Sequence, residues 1–180
     1  MAPDTEGWKI VHKIPFQATS ETYIQSFQYR VLHRIIPCNH WLHKMNIADS
    51  PNCKMCDTDD SLIHYFIDCD RVQNFWNFFH HWWYALTNKL LLIESTIVIF
   101  GIPENTPEAQ VLNFCLIMAK LHIYKTKQAC EDKHINLYDY LRFLKSKLDL
   151  YYMNAEVELQ QEKFDKNWGF LCHALNVTDL

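Results

Sequence analysis

Cys53, Cys56, His64 and Cys69 fall in the order Cys-x2-Cys-x7-His-x4-Cys, a donor set and spacing suited to one tetrahedral zinc ion. Two intervening residues let the Cys53 and Cys56 sulfurs converge from a tight turn, and His64 and Cys69 return from a following short element to close the shell. Three thiolates and one imidazole leave no vacant position for water, so such a site holds a fold and runs no reaction. The flanking turn formers, Asp49-Ser50-Pro51-Asn52 and Asp57-Thr58-Asp59-Asp60, suit a metal-clipped loop. The bland alternative is a group of free buried thiols beside a surface histidine. The seven-residue middle gap is longer than in retroviral zinc knuckles, so the motif is a different one.

Helices are expected to position these ligands. Glycine is scarce, with three in 180 residues, and six prolines are modest, which disfavours a chain of tightly turned strands. Hydrophobic residues make up 49% of the chain, with six Trp, nine Tyr and eleven Phe, enough for a sizeable core. The expected fold is mainly α, a helical domain with one Cys-Cys-His-Cys knuckle-like site and at most a short strand or two. Residues 1–19 read as an extended N-terminal arm, 20–103 as a zinc-binding helical subdomain and 104–180 as a C-terminal helical subdomain packed on it.

Along the chain, Ser20 is a plausible cap for a helix reaching about Ile36, stopped by Pro37. A short helix from Asn39 to Met45 precedes the zinc turn, and another carries His64 and ends near Cys69. Asp70–Leu86 is so dense in aromatics that most of its circumference should be buried. Ile93–Phe100, β-branched and apolar, reads as a short strand or extended core segment. Thr106-Pro107-Glu108 starts a helix running to about Lys133, and Asn136 caps a final long one with a solvated end at Glu156–Lys166. Phe164, Trp168 and Leu171 are expected to fold back on the core.

Net charge is −4, which on its face argues against a polyanion partner. The distribution softens that objection. From Lys9 to Ala48 the charged residues are Lys9, Lys13, Arg30, Arg34 and Lys44 against Glu21 alone, with acidic groups gathered in Asp57–Asp70 and the last thirty residues. The polar opening Met1-Ala2-Pro3-Asp4-Thr5-Glu6 lacks a signal-peptide pattern, and no apolar run is long enough to span a bilayer. Seven cysteines, three of them in metal-type spacing, point to an intracellular, reducing setting and not to a disulfide framework; the expected localisation is nucleus and cytoplasm. Cys115 and Cys130 are read as small packed apolar groups.

With these pieces in place, the chain resembles the C-terminal zinc-binding region that follows reverse transcriptase in LINE-type (non-LTR) retrotransposon proteins. The likeness rests on Phe27-Gln28-Tyr29-Arg30-Val31-Leu32-His33-Arg34-Ile35, Trp41-Leu42-His43-Lys44-Met45, Cys53 to Cys69 and Val72 to Trp76. Ile99-Phe100-Gly101, Leu116 to Lys125 and Phe164 to Trp168 fit more loosely. The resemblance implies one structural zinc ion and a parent protein that copies its own RNA at a nicked target site. This region would then help hold template RNA or target DNA and pack on the reverse transcriptase domain of the same polyprotein, with no membrane or small-molecule partner. The chain has no polymerase motif of an aromatic followed by Ala-Asp-Asp and no endonuclease segment, and Asp59-Asp60 lies in a polar turn. No catalytic residue is expected.

The candidate phosphate contacts are Arg30, His33, Arg34 and Lys44, then Lys54 between the metal cysteines, and Lys120 and Lys127 beside Tyr124. Ordinary solvated faces with salt bridges to Asp57, Asp59 and Asp60 are the competing explanation. A different class of function also stays open: a docking module that packs on the polymerase or a host protein without touching nucleic acid.

Overall fold

The computed structural model describes residues 4–129 and 134–175. Its helices are α1 (Thr5–Val11), α2 (Ile14–Ala18), α3 (Thr22–Leu32), α4 (Asn39–Lys44), a π-helical turn (His64–Asp68), α5 (Asp70–Thr87), α6 (Ser95–Phe100), α7 (Pro107–Ala129), α8 (Leu137–Val157) and α9 (Gln161–Ala174). Among the described residues there is no strand, only an isolated antiparallel bridge between Asn52 and Asp59.

The core is built around α7. Its middle, Val111–Leu121, is buried on every side, so packing from several directions is required to cover it. α2, α3, α8, α9 and the π turn all meet it. The start follows the sequence signal: Pro107 occupies the first helical position and Thr106 Oγ1 accepts the Ala109 N–H at 3.2 Å. α8 begins as expected too, with Asn136 Oδ1 accepting the Asp139 N–H at 2.8 Å.

Several expectations are corrected. The N-terminal arm is helical, not extended. Asp4 caps α1 by accepting the Gly7 N–H at 2.8 Å, and α2 turns Ile14, Pro15 and Ala18 inward, where burial outweighs the alternating pattern of this stretch. Ile93–Phe100 yields the helix α6, because Val98 and Ile99 are buried and tertiary packing overrides β-branched propensity. The aromatic helix α5 buries one face through Val72, Phe75, Trp76, Phe79 and Trp83 but leaves Phe78 and Tyr84 exposed. The final helix is two, α8 and α9, separated at Leu159, whose φ is 54°. Phe164 and Leu171 do fold back into the core, and Trp168 packs partly against it.

α3 ends at Leu32, short of the expected Ile36, in a closure normally made by glycine. The Ile35 N–H donates to the Arg30 carbonyl at 2.8 Å and the Arg34 N–H to the Val31 carbonyl at 3.1 Å, the paired bonds of a Schellman motif. Arg34 holds the left-handed position at φ 57°, a conformation costing a non-glycine residue roughly 1–2 kcal/mol.

Buried polar groups lock α6 in place. Gln28 Nε2 donates to the Ile99 carbonyl at 2.9 Å, and Lys120 Nζ donates to the Val98 carbonyl at 2.6 Å, satisfying carbonyls that a helix end leaves open. Just beyond, Asn113 receives the Ile102 N–H at 2.7 Å and donates to the Ile102 carbonyl at 2.9 Å. Gly101 is required here: φ is 83° and a Cβ would lie 2.6 Å from Asn113 Oδ1. Gly101→Ala is therefore expected to destabilise by about 2 kcal/mol or more, measured by urea denaturation; a change below about 0.5 kcal/mol would contradict this account of the turn.

Candidate metal centre

The knuckle is a miniature hairpin. The Cys53 N–H donates to the Thr58 carbonyl at 2.8 Å and the Asp57 N–H to the Cys53 carbonyl at 2.9 Å. Asp57 turns the chain with φ 51°, a conformation aspartate tolerates. The tip presents the Cys53 and Cys56 sulfurs to one side.

His64 and Cys69 come from the π turn. In an ordinary α-helix, residues five apart point about 140° away from each other. Here the Cys69 N–H donates to the His64 carbonyl at 3.0 Å, an i→i+5 closure that stacks the two residues. The widening of this one turn makes the x4 spacing usable. Cys69 then leaves in extended conformation and opens α5.

All four donor atoms lie within 4.8 Å of one another. Cys69 Sγ is 3.9 Å from Cys53 Sγ and 3.7 Å from Cys56 Sγ, close to the edge of about 3.8 Å that a tetrahedron with zinc–sulfur bonds of about 2.3 Å requires. His64 Nε2 is buried and has no hydrogen-bond partner. Its Nδ1 lies 3.2 Å from Thr58 Oγ1; an Nδ1–H donated to that hydroxyl fixes the tautomer that leaves the Nε2 lone pair for a metal. An orphaned buried nitrogen beside three converging sulfurs fits zinc. The bland alternative of a surface histidine fails, because His64 is only 7% exposed.

The electrostatics agree with a metal-dependent site. Burial pulls the His64 imidazole below its ordinary range, favouring the neutral ligand form. Burial, then the neighbouring Cys69 and Cys53 sulfurs, push the Cys56 thiol up to about 12. A cation at the centre offsets this penalty and favours the Cys56 thiolate.

The knuckle is tied to the preceding helix as well. Asp60 Oδ2 accepts the Asn39 N–H at 2.9 Å at the start of α4, and Asn39 Nδ2 donates to the Asn52 carbonyl at 2.9 Å. His40 Nδ1 pairs with Asp59 Oδ1 at 2.7 Å. Zinc therefore braces the knuckle, the π turn, the start of α5 and, through Asp60, α4.

The expected phosphate contacts separate into groups. His33, Arg34 and Lys44 are exposed and Arg30 half-buried, all on α3, its closure or α4. Arg30 lies 5.9 Å from the Phe27 and Tyr124 ring centroids, and Lys44 lies 4.7 Å from that of Trp41. Asp59 and Asp60, suggested as their salt-bridge partners, are engaged with His40 and Asn39 instead. Lys54 and Lys127 line one cavity beside the knuckle, together with Arg71, a residue the sequence did not single out. Lys127 Nζ donates to the Tyr65 carbonyl at 2.8 Å. Lys120 must be removed from the set: it is 1% exposed and faces the end of α6, because this stretch of α7 has no outward face. Cys115 is buried as expected; Cys130 lies outside the described residues.

Thr58, Asn39 and Asp60 were also missed as supports of the site. Their signal was weak: short polar residues in a turn, with nothing local to say which groups they would meet. Among the described residues no helix is long and apolar enough to cross a membrane. The chain matches no curated protein and no solved structure. A family model described as zinc-binding in reverse transcriptase matches residues 3–76, a span that contains all four metal ligands. Residues 3–76 are a reverse transcriptase-associated zinc-binding region, held by one structural zinc ion.

Proposed function

We propose that this chain is a nucleic-acid-binding module of a LINE-type reverse transcriptase protein, holding template RNA or target DNA during target-primed reverse transcription. The solvent-facing cations of α3 and α4 beside the zinc knuckle carry this reading. Arg34 and Lys44 are exposed, and among the described residues no ion pair engages Arg30, Arg34 or Lys44. Local positive charge on a rigid support is what phosphate contact requires. Residues 3–76 supply the reverse transcriptase association; the polymerase domain of the same polyprotein is the natural neighbour.

Docking without nucleic acid is the second reading, favoured by the exposed Ile35, Met45 and Ile47 on the same segment. The left-handed backbone of Arg34 allows a clean separation. Arg34→Gly removes the cation while relieving the helix closure, so Arg30→Ala plus Arg34→Gly should keep the fold and zinc content. Binding to RNA and single-stranded DNA, measured across salt, is expected to weaken at least about tenfold at low salt, with the log–log salt slope reduced by roughly 1–2. Absence of binding by the unaltered protein at low salt would overturn the first reading in favour of docking.

A further inference from the structure

A row of rings crosses the surface next to Arg34. Phe100 meets the edge of Trp8 at 5.7 Å between centroids, Trp8 meets His12 at 5.4 Å, His12 stacks on His33 at 5.3 Å, and His33 meets Tyr29 at 4.1 Å. The row draws on α6, α1 and α3, segments far apart in sequence, and Tyr29 at its end is 52% exposed. Where the row reaches Trp8 and Phe100 it borders an open cleft of about 500 Å³, which Trp41, Arg34, Ser95 and Thr96 also line. One wall of this cleft is Ser61–Ile63 of the zinc loop, so its shape depends on the knuckle.

Aromatic walls, hydroxyls and one guanidinium at a cleft of this size match a particular ligand chemistry. A flat heterocycle gains by contact with ring faces, its polar edge needs short donors and acceptors, and its attached phosphate needs a cation. A base pair inside a duplex presents no free face to such walls. We infer that the cleft receives an unpaired base of single-stranded RNA or DNA, with Trp8 and Trp41 as contact walls and Arg34 on the adjoining phosphate. The ring row then guides the strand toward the cleft. This inference rests on the nucleic-acid-binding reading above and adds to it a strand state and a base-binding site.

The test uses the full chain loaded with zinc and three probes of equal length at low salt: single-stranded oligouridylate, an abasic single strand and a duplex. The unaltered protein is expected to bind the single strand roughly tenfold more tightly than the abasic strand. Trp8→Ala plus Trp41→Ala should remove that preference while leaving duplex binding within about twofold. A halogenated-uridine strand irradiated with the unaltered protein should crosslink at Trp8, Trp41 or Tyr29, which needs no variant to fold. Equal binding of the abasic and ordinary strands, or crosslinks confined to other surfaces, overturns the base-binding site while leaving a phosphate-binding module intact. No binding to any probe overturns both.

Discussion

Removing the zinc ion with a tight chelator is expected to lower the thermal midpoint of the chain by about 8–16 °C. Zinc present at a thousandfold over its dissociation constant stabilises by about 4 kcal/mol, and each kcal/mol shifts a chain of this size by roughly 2–4 °C. The loss should be local at first. Hydrogen exchange is expected to show Pro51 to Cys69 and α4 opening, because the Asn39–Asp60 and Asn39–Asn52 bonds depend on the knuckle. The middle of α7, packed by α2, α3, α8 and α9, should stay protected. Cys69→Ser is expected to reproduce the metal-free state, since this 0% exposed sulfur sits where the π turn joins α5. Acid should release the ion as well, because thiols and imidazole regain protons that the metal displaces. Elemental analysis without about one zinc per chain, or a midpoint that ignores the chelator, would end the case for a structural metal.

The second large effect concerns Lys120. Burial pulls its ammonium down to about 7, against an ordinary value of about 10.4. In the window between those values the unfolded chain holds a proton that the folded chain has lost, so the contribution of Lys120 to stability rises with pH from about 7 to about 10. Below pH 7 both states are protonated and the folded state bears the full cost of a buried cation. The two carbonyls of α6 and the favourable end of that helix dipole lessen this cost. Lys120→Met removes the titration but leaves the Val98 carbonyl without its donor, a loss of about 1–3 kcal/mol. The stability difference between the two proteins, from urea denaturation with zinc in excess, is therefore expected to move by about 2–3 kcal/mol toward Lys120 from pH 6 to pH 9. An identical difference at both pH values would show that Lys120 is not buried as a titrating group.

The metal ligands were legible in the sequence because their chemistry is carried by residue type and short spacing. The caps at Thr106 and Asn136 were legible for the same reason: each acts on an N–H three residues away. What the sequence hid was decided at long range or by rare backbone states. Lys120 looked like a surface cation beside Tyr124, and only the arrangement of α6 and α3 around α7 shows that this face points inward. Ile97, Val98 and Ile99 looked like strand, yet Gln28 and Lys120 hold the Val98 and Ile99 carbonyls as a helix end. The π turn leaves no compositional mark, so the way His64 and Cys69 meet could not be read beforehand. Arg34 and Leu159 stop helices without glycine or proline, which is why α3 and the last helix were both drawn too long.

Six described residues adopt positive φ, namely Arg34, Asn46, Asp57, Asn88, Leu159 and Gly101, and glycine fills just one of those positions. Asparagine and aspartate tolerate the geometry, and Arg34 has a side chain worth keeping. Leu159 is 87% exposed and its side chain has little to lose. Leu159→Gly is thus the natural first step toward a hardier, more soluble version of this protein, with an expected gain of up to about 1 kcal/mol and no change at the knuckle.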